Sequence, residues 1–322
     1  MSLCIIASAA LAGASRPSAA QATKFSFPDP TFWRAPDGTW RATSTSLRIL
    51  KSDDFFTWQD TGRMLFSKKD RARIRERWRH VWAPDAFKLG GEYLMYVALV
   101  NCATNSAIAV FASKSPDGPF TNGHIVTASD ETGIQDTIDP EVVRDPRTGA
   151  LWLFFGSTGK MHRVRLAKDG RSVAPGAAYE HVAGQCDDGL RDPQRLKVFE
   201  GAYLHRRGGW WYLFASRGCY WNHTYSVIVG RARTLAGPFR DRDGRDMRDG
   251  FATTVLSSRE NDHFYGPGHN GEIFTIGERD YMPFHCHVMG PTPNARPLFI
   301  CEVRWDGDGW PSARLPRPPA AR

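Results

Sequence analysis

A chain of 322 residues is long enough for two domains, so its organisation has to be read from pattern rather than size. The formal net charge of +8 raises acidic partners, yet the basic residues are spread along the chain and mixed with Asp and Glu, which argues against a nucleic-acid surface. Six cysteines without a CxxC pair exclude a zinc ribbon or thioredoxin-type site, and neither a GxSxG elbow nor a P-loop is present for nucleophilic hydrolysis or phosphate chemistry.

The first segment, LCIIASAALAGAS followed by Ala20-Gln21-Ala22, combines an apolar small-residue run with an A-x-A cleavage site. It predicts a signal peptide over 1–22 and a secreted or periplasmic protein, although a basic n-region is missing. No later apolar run is long enough to span a bilayer. From Asp29 onward a unit recurs: a polar anchor, a short apolar strand, a Gly-containing turn and an aromatic-rich strand. TFWRAPDGTWRATSTS follows Asp29 and AFKLGGEYLMYVAL follows Asp85. EVVRDPRTGALWLFFGS lies beyond Asp139, GAYLHRRGGWWYLFASRG beyond Glu200 and NGEIFTIGERDYMPFHCH beyond His269. Between the first two units, KKDRARIRERWRH at 68–80 is the single long helical candidate; its mixed charge reads as a solvated face. Attraction to an acidic cell-wall polysaccharide is a further expectation from the charge, and it would weaken with salt. SKSPDGPF at 113–120 and TLAGPF at 234–239 look like turns leading to outer strands.

Anchors 54 to 69 residues apart suit one four-stranded blade each, so five anchors predict an all-β, five-bladed β-propeller over 23–310. PSARLPRPPAAR at 311–322, rich in Pro and Arg, predicts a loose tail. With Cys4 in the signal, five cysteines remain (Cys102, Cys186, Cys219, Cys286, Cys301), an odd number; a Cys286–Cys301 disulfide is one candidate pairing.

Carboxylates at the start of buried strands are costly to desolvate, so Asp29, Asp139 and Glu200 at matching repeat points predict one shared site, and glycosidic cleavage is the chemistry that wants such a group. FPDP, HVWAPD, TIDPEVVRDPRTGALWLFFGS, VFEGAYL and YGPGHNGEI, in this order over residues 25–305, resemble glycoside hydrolase family 43. Within it the EGA, HTY and GPGHN segments are most similar to endo-1,5-α-L-arabinanases. The resemblance implies a five-bladed propeller that hydrolyses with inversion. Asp29 would be the general base, Glu200 the general acid, and Asp139 the residue that orients Glu200 and tunes its proton affinity. It also implies Asp85 as a ligand for sugar hydroxyls and a calcium ion near His269, reached largely through water.

Two carboxyl groups on different blades suit inversion, and a third beside the acid would disfavour a second negative charge there. Trp82, Tyr220 and Trp221 are candidate stacking platforms for sugar rings, and Ser157 in FFGSTG is placed on the substrate side. GPGHNG matches GxGxxG but holds Pro267 and precedes a strand pattern, which rejects dinucleotide binding. His285 and His287 would share a strand face, a spacing a transition metal could use. The expected partner is an arabinose-containing oligo- or polysaccharide, bound by a monomer. β-Xylosidase or exo-α-L-arabinofuranosidase activity stands as the alternative, and a non-catalytic carbohydrate-binding propeller as the alternative of another class.

Overall fold

The computed structural model describes residues 19–184, 199–290 and 295–317. Strand β1 (Ala19–Ser26) precedes four consecutive four-stranded sheets. The first is β2 (Thr31–Arg34), β3 (Trp40–Thr43), β4 (Arg48–Ser52) and β5 (Gln59–Met64). The second is β6 (His80–Leu89), β7 (Glu92–Cys102), β8 (Asn105–Ser113) and β9 (Thr121–Ala128). The third is β10 (Glu141–Arg144), β11 (Leu151–Phe155), β12 (Met161–Arg165) and β13 (Glu180–Ala183). The fourth is β14 (Phe199–Arg207), β15 (Trp210–Arg217), β16 (Ser226–Ala232) and β17 (Thr253–Leu256). The fifth blade is built from β18 (Phe264–Gly268), β20 (Arg279–Val288) and β21 (Pro297–Trp305), with β19 (Phe274–Ile276) pairing on β20.

Its outer strand is β1, the first of the described strands, antiparallel to β21 with Ala19 opposite Cys301 and Gln21 opposite Phe299. The ring is thus closed by hydrogen bonds between its two ends, and the fold is the five-bladed all-β propeller. The expected cleavage point after Ala22 falls inside β1, so residues 19–22 are part of the fifth blade as the chain folds here. Residues 1–18 lie outside the described residues.

The strands alternate because both faces of every blade are buried. On β7, Tyr93, Met95, Val97 and Leu99 pack toward the first blade, whereas Leu94 and Tyr96 pack toward the third. Five hydrophobic clusters repeat this around the ring, each filling the gap between two neighbouring blades. The helix α1 (Lys68–Arg77) joins blades one and two, capped by Ser67, whose Oγ accepts from Asp70 N at 3.1 Å. Only Ile74 of α1 is buried, so the helix lies on the surface.

The expected loose tail is partly ordered. Trp310 is buried in the cluster between blades four and five, β22 (Pro311–Ser312) pairs with β21, and Ala313 N donates to Val255 O. Aromatic anchoring by Trp310 outweighs the Pro-rich composition as far as residue 317, the last described. Cys286 and Cys301 are free thiols: Cys301 stands opposite Met282 across the β20–β21 ladder, so the pairing geometry for a disulfide is absent. Cys102 and Cys219 are also free, while Cys4 and Cys186 lie outside the described residues.

Candidate active site

The first strand of each blade starts near the axis, and a backbone kink just before or within it aims side chains into one end of the ring. Asp29 and Asp139 both adopt φ 57°, and each is followed by Pro and then by the first paired residue, Thr31 or Glu141. Gly201 adopts φ 61° at the equivalent point of blade four, so Glu200 is the residue just before it. A Cβ on Gly201 would lie 3.1 Å from the His269 ring, and the left-handed backbone adds strain for any other residue. These kinks line a pocket of about 470 Å³ with Asp29, Asp139, Glu200 and His269 in its wall.

Each carboxylate has its own partners. Thr45 Oγ1 donates to Asp29 Oδ2 at 2.6 Å, and Arg296 Nη1 lies 3.6 Å from Oδ1. Arg296 Nη1 also lies 3.3 Å from Nε2 of His285. Nδ1 of His285 accepts from the Asp29 backbone N–H at 3.2 Å and lies 3.3 Å from Asp29 Oδ1. Burial and the Arg296 charge push His285 down to about 3, which keeps it neutral. Burial alone would raise Asp29, but His269, Arg296 and the His285 hydrogen bond together hold it well below the usual carboxylate range. Nδ1 of His269 lies 3.2 Å from Asp29 and 4.0 Å from Asp139.

Glu200 is held at both oxygens: Ser157 Oγ donates to Oε2 and Tyr225 OH to Oε1, each at 2.6 Å. Tyr225 is fully buried and its phenol is pushed well above its ordinary value by burial and by Glu200, so it stays a donor. Asp139 accepts from Gly201 N at 3.1 Å. Burial, opposed by His269 and reinforced by Glu200 and Asp29, raises Asp139 to about 7. Two carboxyl groups in the same burial are therefore driven apart, one ionised throughout and one that keeps a proton to near neutrality.

The sequence profile described as "Glycosyl hydrolases family 43" matches residues 23–311. The chain belongs to glycosyl hydrolase family 43. The extracellular exo-α-(1→5)-L-arabinofuranosidase ArbA of Cellvibrio japonicus is 29% identical over 300 residues, 88% of this chain and 85% of that protein. The extracellular endo-α-(1→5)-L-arabinanase 1 of Bacillus subtilis is 28% identical over 288 residues, 85% and 82% of the two chains. Among solved structures, the Cellvibrio cellulosa α-L-arabinanase complexed with arabinohexaose superposes with a TM-score of 0.76 at 28% identity, covering 89% of this chain and 95% of that one.

In this family 43 glycosidase the expected platforms line the same pocket: Trp82, Tyr220 and Trp221 are large exposed aromatics, with Ser157 beside them. Asp85 is a correction. It is buried, absent from the pocket wall, and accepts from Val142 N at 2.9 Å while bonding Glu141. The reason is register: Ala83, with φ 39°, occupies the kink that Asp29 and Asp139 occupy in their blades, and Asp85 matches Thr31 and Glu141 two residues on. Asp85 therefore joins Glu141 and Glu272 in a buried acidic group, where burial raises Asp85 to about 7 and Glu272 to about 8. Of the His285 and His287 pair, His285 stands against Asp29, while Nε2 of His287 bonds the carbonyl of Tyr220 at 2.7 Å and its Nδ1 is buried without a hydrogen-bond partner. Thr45, Tyr225 and Arg296 are site residues to which sequence reading gave no role, and His285, read there as half of a metal-spaced pair, stands against Asp29.

Around His269 the described residues contain no group of three or more His, Cys, Asp or Glu at metal-holding spacing. One imidazole whose Nδ1 already faces Asp29, beside Asn270 with its buried, unpartnered Oδ1, fits a hard cation only if water supplies most of its shell.

Proposed function

We propose that this glycoside hydrolase cleaves α-1,5-linked arabinan with inversion at the anomeric carbon. The observation that carries the reading is the opposed pair: an ionised Asp29 on blade one beside the Arg296 guanidinium, and on blade three an Asp139 that keeps its proton to near neutrality next to Glu200 of blade four. Asp29 would take a proton from water on one face of the sugar, and Glu200 would give one to the leaving oxygen on the other. Asp139, which touches the Glu200–Gly201 backbone, would position Glu200 and carry the site's proton reserve. Ser157, whose hydroxyl can accept as well as donate, would steer Glu200's proton, while Tyr225 fixes its other oxygen.

The arabinan reading rests on the relatives named for it and on the open aromatic wall of Trp82, Tyr220 and Trp221. One relative named is exo-acting and another endo-acting, so the chain-end or mid-chain mode is decided by products. Purified protein on linear 1,5-α-arabinan is expected to release oligosaccharides, with β-configured reducing ends by proton NMR at early times; monomer alone would make it an exo enzyme. The Glu200→Gln variant should lose about a hundredfold or more in kcat on arabinan. Retained turnover would remove Glu200 from the acid role, and wild-type inactivity on arabinan with activity on xylo-oligosaccharides would move the substrate.

The calcium ion is proposed as a water-held charge beside His269, outside both proton transfers. Dialysis against a chelator should lower activity and added calcium restore it. Export is proposed from the extracellular relatives; no helix among the described residues is long and apolar enough to cross a membrane. The working unit is proposed to be a monomer, which sedimentation would check.

A further inference from the structure

A second concavity of about 270 Å³ opens beside the catalytic pocket and shares Thr45 and Trp82 with it. Its far wall is α1 and the turn after it, which contribute Arg71, Arg75, Arg79 and His80, and no carboxylate lines it. Arg71 and Arg75 are four apart and so lie on one helix face. Neither acid of the same segment lines it: Asp70 is tied to the Ser67 cap at 2.6 Å, and Glu76 lines a neighbouring concavity that Arg75 and Arg79 also border. None of the three arginines has an ion-pair partner among the described residues, and Nε of Arg71 is buried without a hydrogen-bond partner. The floor is aromatic, with His80 stacked on Trp82 at 5.2 Å and 22°.

Guanidinium forks without ion-pair partners in the same concavity as a flat aromatic surface match a sugar ring that carries a carboxylate, since the fork binds a carboxylate through two parallel hydrogen bonds and the ring covers a C–H face. We propose that this groove is a distinct binding site for a uronate unit, continuous with the cleavage site, which lets the enzyme hold an acidic glycan next to the neutral chain it cuts. The inference rests on the arabinan reading above: plant arabinan is carried on a galacturonate-containing backbone. The groove is short and runs into the catalytic cleft, which favours one uronate of the substrate over an extended nucleic-acid track.

The test pairs two substrates with a binding titration. Wild type and an Arg75→Ala/Arg79→Ala double variant, both changes at exposed positions, are compared on neutral linear arabinan and on arabinan still attached to its galacturonate backbone. Trigalacturonate is titrated into each by calorimetry. At low ionic strength wild type is expected to favour the attached substrate by about fivefold in kcat/KM, and to lose that preference at about 0.3 M salt. The double variant should cut neutral arabinan at the wild-type rate, lose the preference, and bind trigalacturonate about tenfold more weakly. If the double variant melts early, Arg75→Ala alone gives the same comparison. Absence of trigalacturonate binding by wild type, or binding that the variants do not change, overturns the proposal. Equal affinity for a sulfated oligosaccharide or a short DNA strand overturns the uronate assignment. Failure to cut either arabinan would sink the functional reading instead, while the titration would still report on the groove.

Discussion

Asp29 and Asp139 share a backbone conformation, a neighbouring proline and a nearly buried place in the pocket wall, and differ in what faces them. Arg296 and His285 crowd Asp29, whereas Asp139 looks toward Glu200 and shares His269 with Asp29. Sequence made the three carboxylates legible because each sits at a recurring anchor. It could not show Arg296 or His285, because the contact between Asp29 and His285 spans 256 residues and no local pattern marks it. The rate follows from the same asymmetry. Asp29 stays ionised through the weakly acidic range, so kcat/KM should be flat there and fall as pH rises through about 7, where Asp139 gives up its proton. An Asp139→Asn variant should lack that fall near 7 in a pH–rate profile, at a much lower plateau; an unchanged profile would assign the basic limb elsewhere. Tyr225→Phe removes one of two hydroxyl donors to Glu200 while keeping the ring stacked 5.7 Å from His285. It should lower kcat/KM about tenfold with little change in melting temperature.

The decisive element is the kink at the start of each blade's first strand. It converts a strand that would alternate evenly into one whose entry residue faces the pocket and whose next paired residue is turned to the axis. The hairpins and their Gly turns were readable from alternation, and so was α1 from its spacing. The kink was not, because its offset of one or two residues is set by pairing across the sheet; hence Asp85 was read as a pocket residue and belongs to the buried acidic group. Blade five shows how tight the fit is: a Cβ on Gly268 would stand 2.0 Å from the Tyr225 ring. Gly268→Ala should therefore destabilise by about 1–3 kcal/mol and displace Tyr225 from Glu200. A combined loss of melting temperature and kcat would show this, whereas a loss of stability at full kcat would separate the two sites.

For the whole molecule, the buried group of Asp85, Glu141 and Glu272 sets the response to pH. Burial raises all three, with Asp85 at about 7 and Glu272 at about 8, so the folded state keeps protons that an unfolded chain releases above about pH 4. Stability should then decline as pH rises from about 4 through 8. Asp29 acts in the opposite sense, adding stability that is lost as pH falls below the ordinary carboxylate range. Thermal melts are expected to peak in weak acid. Glu272→Gln should flatten the alkaline decline, and a decline of unchanged slope would show that other groups carry it.

Closure by β1 on β21 has a temporal side. β1 is made before every other described strand yet pairs with the blade made last, so it waits without its partner while four blades finish. Until that strand arrives, β21 presents a bare edge of N–H and C=O groups, and this interval is when one nascent molecule is most able to capture another.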